Sequence, residues 1–192
     1  LFRSVREGRR LQYGNYGDSK VIHLGQIDRQ ELLAADAVLV GLNRTRRTYN
    51  KRIRHLRGFP DEVSVKDKLI CLRNNSKKGL LNGGMWTVAE IISRGIDIQM
   101  IVTPIDAGAA CNPQKVIVNH LFFEGREGEL DWKSRQYSDE FYFGEAITVH
   151  KSQGSQWDNL YLFDESGAFR EDAVKHLYTG LTRAAERITV AR

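Results

Sequence analysis

Cysteine is nearly absent from this chain. Two residues in 192, Cys71 and Cys111, cannot supply a disulfide framework and lack the close pairing of a zinc site. The expectation is therefore a reducing, cytoplasmic setting. No apolar run approaches the roughly 20 residues needed to cross a bilayer, and the opening LFRSVREGRR lacks the apolar centre of a signal peptide. No membrane role is expected. The phosphate-cradling pattern G-x-x-x-x-G-K-[ST] does not occur, so the chain is not expected to hold ATP on its own. His23, His55, His120 and His176 have no metal-ligand spacing, and no metal site is expected. The chain opens on Leu1 rather than Met, from which we expect a piece of a longer protein.

What is present is an ordinary globular composition, 41% hydrophobic and 28% charged, with a net charge of +5 that points to an acidic partner, nucleic acid first. The length allows one core interrupted by a smaller inserted domain. Residues 20–57 read as strand, helix, strand, helix: a capping box of Asp28 and Glu31 opens the first helix, and AVLVGL (37–42) is an unbroken apolar run, as in a parallel strand covered on both faces. In TRRTYNKRIRHLRG, Tyr49, Ile53 and Leu56 recur at helical spacing. The other faces of that helix carry Arg44, Arg46, Arg47, Lys51, Arg52, Arg54 and Arg57, and no acid lies between Asp36 and Asp61, making this the densest positive surface of the sequence.

From about Glu62 to Phe143 the pattern changes to short strands: KLICLRNN, MWTVAEII, IQMIVTPI and KVIVNHLFF, joined by turns rich in Gly and Asn. A small antiparallel barrel is expected, with Trp86 and Trp132 in its core or rim and base-stacking platforms as the alternative for both. The α/β pattern then resumes with strands AITV, LYLF and RITV, and with a helix whose apolar face is Val174, Leu177, Tyr178 and Leu181. LYLFDE (160–165) imitates a magnesium-binding strand end, but without a phosphate loop it is taken as a strand end only. Asp61 with Asp131-x-Lys133 is too dispersed for a nuclease carboxylate cluster.

Two stretches carry chemistry. AITVHKSQGSQWDNLYLF leads from a buried strand into a polar loop, and HLYTGLTRAAERITV puts Arg183 at the end of a helix. Together they resemble motifs V and VI of superfamily 1 helicases, most closely the RecD and phage Dda type. VLVGLNRTRRTYNKRIR is similar to motif IV, and DKLICLRNN with GLLNGGMWTV looks like the family's inserted SH3-like barrel. The resemblance covers the chain from about Val21.

It implies an α/β, RecA-like parallel sheet with helices, interrupted by the barrel. The divisions would be a linker at 1–19 from an N-terminal motor domain, the second motor domain at 20–61 and 144–192, and the barrel at 62–143. Thr148, His150 and Lys151 would contact the phosphates of a single DNA strand, and Asn43 and Arg46 would help position it. Gln153 and Gly154 would sense nucleotide. Gln156 stands where related enzymes carry a ribose-binding glutamate, and Arg183 would be the arginine finger reaching the γ-phosphate. The implied activity is ATP-dependent, 5′ to 3′ DNA unwinding with ATP and Mg2+ in the longer parent. Its partners would be single-stranded DNA, the parent's N-terminal RecA-like domain, and repair or replication proteins. The alternative is a helicase-like module that holds single-stranded DNA without a working motor.

Overall fold

The computed structural model describes residues 1–8, 10–105 and 112–192, so Cys111 lies outside the described residues. Along the chain the elements are α1 (Phe2–Arg6), β1 (Gly14–Tyr16), β2 (Ser19–Ile22), α2 (Arg29–Ala34), β3 (Ala37–Val40), α3 (Asn43–Leu56), β4 (Lys68–Cys71), β5 (Met85–Ser93), β6 (Asp97–Pro104), β7 (Gln114–Asn119), α4 (His120–Glu124), α5 (Trp132–Tyr137), β8 (Phe141–Phe143), β9 (Ala146–Thr148), β10 (Trp157–Phe163), α6 (Ala173–Leu181) and β11 (Ala184–Ala191). Among the described residues no helix is long and apolar enough to cross a membrane. The chain divides into two compact units, residues 1–49 with 146–192, and residues 50–145; α3 runs through the division.

The first unit is built on a six-stranded sheet in the order β1-β2-β11-β10-β3-β9. All neighbours are parallel except β1 and β2. The unbroken apolar run is explained by position: β3 lies between β10 and β9, and all four of its residues are buried. Leu160 to Phe163 and Ile188 to Ala191 fill the same layer. Asp28 accepts from the backbone N–H of Glu31 at the start of α2, which is one arm of the expected capping box. The other arm is absent because the Glu31 carboxylate turns to Lys20 (2.7 Å) and the Thr189 hydroxyl (2.6 Å), tying α2 to the sheet. The first nineteen residues, expected as a linker, contain α1 and the edge strand β1.

The buried face of α6 is His176, Gly180 and Leu181, whereas Val174 is 47% exposed. The expected face was rotated because Gly180 and a histidine carry little apolar signal. A Cβ on Gly180 would stand 3.2 Å from both methyls of Leu162 and 3.3 Å from Val149, so the missing side chain lets the helix approach β10 closely.

The second unit is a five-stranded antiparallel sheet in the order β7-β6-β5-β4-β8. Ahead of β8 the chain bonds back to β7: the Asp139 N–H donates to the Ile117 carbonyl (2.7 Å) and its carboxylate accepts from the Ile117 N–H (3.0 Å). HLFF, expected to prolong a strand, is the helix α4, because Asn119 caps it through the Leu121 N–H and Gly125 ends it in the left-handed region. Trp86 is core at 3% exposure, with an edge-on contact to Phe141, but Trp132 is 71% exposed and belongs to no core.

Candidate nucleic-acid and nucleotide sites

Strands β3 and β9 end side by side, with Val40 opposite Thr148, so the turns that follow them emerge together at the carboxyl edge of the sheet. One turn leads through Gly41 and Leu42 into α3, which starts at Asn43. The other is a tight loop in which the N–H groups of Lys151 and Ser152 donate to the Thr148 carbonyl (2.9 and 3.1 Å). Ser152, fully buried, donates its hydroxyl to the Val149 carbonyl (2.7 Å) and fastens the loop from beneath. Asn43 and His150 are exposed, Lys151 is half-buried and Thr148 is buried. The geometry brings Asn43, Thr148, His150 and Lys151 to one edge.

This edge is braced by a residue absent from the sequence-derived site. Glu165, just beyond β10, accepts from the N–H groups of Gly41 (2.8 Å) and Leu42 (3.0 Å) and from the Thr45 hydroxyl. An anion there also opposes the positive end of the α3 dipole. A Cβ on Gly41 would meet the Glu165 Cβ at 2.8 Å, so glycine is the residue that leaves room for the carboxylate. Asp164 accepts from the Ser166 N–H (3.0 Å) and faces Arg192 (3.7 Å). The apparent magnesium-binding pair is thus committed to structure, and the available signal was the DE dipeptide itself, which sequence reasoning set aside. Among the described residues no cluster of three His, Cys, Asp or Glu could hold a metal. Also unforeseen is a ring cluster behind His150: His150 lies 5.4 Å from His176, which stacks on Phe169 at 3.8 Å. The buried His176 has no hydrogen-bond partner for its Nε2 among the described residues, and burial, then the neighbouring His150, pushes its pKa down.

Arg183 lies elsewhere. It precedes β11 and its carbonyl accepts from the N–H of Trp157, the first residue of β10, so it sits at the amino edge of the sheet. Its guanidinium donates to the carbonyls of Thr179 and Ser155 and to the Thr182 hydroxyl, each at 3.2 Å. Ser155 follows Gln153 and Gly154 and precedes Gln156; all three flanking residues are exposed. Arg183 and Ser155 thus lie at the opposite end of the sheet from Thr148, and Gln153 and Gly154 lie on the loop that runs between the two ends.

The basic helix is only partly a surface. Arg46 is 6% exposed and Arg54 is 2% exposed, on a buried stripe that includes Asn50 and Ile53. Arg46, expected to help position a strand, is therefore largely withdrawn from solvent. Arg54 forms a two-pronged bond with Asp67 (2.7 and 2.9 Å), donates to two backbone carbonyls and lies 3.7 Å from the centre of the Phe143 ring. Arg57 pairs with Glu145 at 3.2 Å. Arg44, Arg47, Lys51 and Arg52 remain exposed.

The first unit is thus a largely parallel sheet with helices, the RecA-like fold class expected from the sequence, and known proteins share it. Residues 143–191 match the UvrD-like helicase C-terminal domain family. The fold is similar to the Pif1 helicase of Candida albicans, with a TM-score of 0.58 and 11% identity over 100% of this chain and 52% of that one. It is also similar to a Pif1 helicase from Bacteroides solved with ADP-AlF3 and ssDNA, with a TM-score of 0.50 and 14% identity over 98% of this chain and 44% of that one. An uncharacterized protein of Methanocaldococcus jannaschii is 27% identical over 135 residues, which are 69% of this chain and 11% of the relative. The chain spans about half the length of the helicase structures it matches and about a tenth of that curated relative. The family match covers 49 of the 192 residues, and the two helicase structures, at 11% and 14% identity, share the fold.

Proposed function

We propose that this chain is the second motor domain of an ATP-dependent superfamily 1 DNA helicase of the RecD and Dda type, moving 5′ to 3′ along single-stranded DNA. The observation that carries the reading is the division of the sheet into two ends, with Asn43, Thr148, His150 and Lys151 at one, Arg183 at the other, and the loop of Gln153, Gly154 and Gln156 between them, joined to Arg183 through the Ser155 carbonyl. Arg183 presents a fixed, permanently charged fork suited to stabilising charge on a transferring phosphoryl group. The remaining parts of an ATP site would come from an N-terminal domain of the parent. Magnesium belongs there too, since Asp164 and Glu165 are engaged with Arg192, Ser166 and the start of α3. DNA recognition would rest on phosphate contacts, with Lys151 and the exposed arginines of α3 as cations, and so would carry little sequence preference. The antiparallel unit would serve as an SH3-like barrel shaping the path of the strand.

Three measurements test this. The 192-residue chain should bind single-stranded DNA weakly and without ATPase activity, its affinity falling with salt by about 0.7 logarithmic units per phosphate contact. Lys151→Ala should flatten that slope; salt-independent binding or robust ATP turnover by this chain would reject the assignment. With the full-length protein, unwinding from 5′-tailed but not 3′-tailed duplexes tests direction. The non-motor alternative draws on the three internal bonds of Arg183. It predicts a full-length protein that binds DNA yet hydrolyses no ATP.

A further inference from the structure

The antiparallel unit exposes two large aromatic side chains on one short helix: Trp132 at 71% and Tyr137 at 84%. Between them lies a cationic floor. Glu140, whose side chain is 6% exposed, accepts from Arg135 Nε (3.0 Å) and pairs with Arg73 Nη1 (3.1 Å), while Arg73 Nη2 donates to the Ser138 carbonyl (2.7 Å). One buried carboxylate thus holds two guanidinium groups whose side chains are 41% and 46% exposed. Two adjoining concavities share Arg73, Gln136 and Glu140; Trp132 flanks one, and Tyr137 with Lys77 flanks the other. The acids that line them, Asp139 and Glu140, are buried and paired with Lys78, Arg73 and Arg135, so the accessible charge of the lining is that of Arg73, Arg135 and Lys77.

We infer that Trp132, Tyr137, Arg73 and Arg135 form a second binding surface for single-stranded nucleic acid, with bases stacked on the two rings and phosphates on the pinned guanidinium groups. Stacking on an exposed ring needs no particular base, and rigid cations lose little freedom on meeting a phosphate. A protein partner would also value Trp, Tyr and Arg, but the accessible positive charge and flanking Lys77 favour a polyanion. The surface is independent of the motor reading because all its residues belong to the unit 50–145, whereas Thr148 and Lys151 belong to the other unit.

The test is a titration of the 192-residue chain with oligothymidylate at low salt, following tryptophan emission and affinity. Trp86 is buried, so quenching by stacked bases should come mainly from Trp132, with Trp157 as a background. Trp132→Phe should remove most of the quench. Trp132→Ala and Tyr137→Ala should each weaken binding about tenfold, within the range for losing one stacked base; both side chains are exposed, and unchanged melting would verify folding. Lys151→Ala should leave the Trp132-dependent quench intact. If Lys151→Ala abolishes binding while the Trp132 and Tyr137 variants bind normally, this surface is refuted and the motor reading stands. If the reverse holds, the surface stands and the DNA assignment of the sheet edge fails. Self-association that depends on Trp132, with no nucleic-acid quench, would also overturn the inference.

Discussion

Replacing Arg183 by alanine separates a catalytic arginine from a structural one because the two roles differ in magnitude. In this fold the guanidinium makes three hydrogen bonds of 3.2 Å, to Thr179, Ser155 and Thr182, all partly buried. Bonds at the long end of the N–H···O range contribute about 0.5 kcal/mol each, so their loss should cost the isolated chain about 1–2 kcal/mol in urea unfolding. An arginine finger is worth about 10³ to 10⁵ in turnover, or at least about 4 kcal/mol of transition-state stabilisation. In the full-length protein, Arg183→Ala should therefore reduce DNA-stimulated ATPase by about a thousandfold or more and leave nucleotide-free DNA binding nearly intact. Arg183→Lys should recover little, since an ammonium lacks the planar fork. ATPase within tenfold of wild type, in a protein destabilised by the expected amount, would refute the finger and leave Arg183 as a brace between α6 and the loop before β10.

Glu165→Gln keeps the shape but removes the negative charge and one accepting oxygen at the start of α3; stability should fall by about 2 kcal/mol, and affinity for single-stranded DNA should fall with it as Asn43 loses its fixed position. Equal stability on denaturation would reject the brace. Arg54→Met strands the Asp67 carboxylate in the interior and should cost about 3–5 kcal/mol, much of it recovered by adding Asp67→Asn; a neutral single variant would show the pair to be dispensable. His176 is held below its ordinary value near 6.5, so its contribution to stability is complete above that pH and is lost as pH falls through the lower folded-state value. Unfolding measured from pH 7.5 downward should show this decline, and His176→Phe should remove that part of it. Gly180→Val forces branched carbons against Leu162 and Val149 and should destabilise by about 1–3 kcal/mol in thermal melts.

The parallel sheet was legible because strands covered on both faces must be continuously apolar, and AVLV and LYLF announce that directly. Motif order also placed Arg183 next to a helix end. Burial of charge was not legible: Arg46 and Arg54 look like neighbouring surface cations until Asp67 and Phe143, distant in sequence, are brought beside Arg54. The same limit hid the brace, since Glu165 lies 124 residues from Gly41. HLFF misled because its apolar content suits strand or helix equally, and only the caps at Asn119 and Gly125 decide. Phe141 to Phe143 was passed over as a boundary, although three consecutive buried residues there form an edge strand of the antiparallel sheet.

Residues 149–156, which connect β9 to β10, amount to a short tether. Parallel strands of one sheet are ordinarily joined by a dozen residues or more, but here the chain leaves at the level of Thr148, passes β3 and re-enters at Trp157. That level is about 20 Å away along the strand direction at roughly 3.3 Å per residue. Eight residues reach at most about 29 Å when straight, and the turn at Thr148 to Ser152 already uses part of that length. The link is nevertheless wound rather than stretched, since residues 149–154 are all in turns and the Ser155 N–H donates to the Ser152 carbonyl (3.1 Å). A pull on Ser155 through the Arg183 guanidinium would first have to open that second turn before it reached the loop that carries His150 and Lys151.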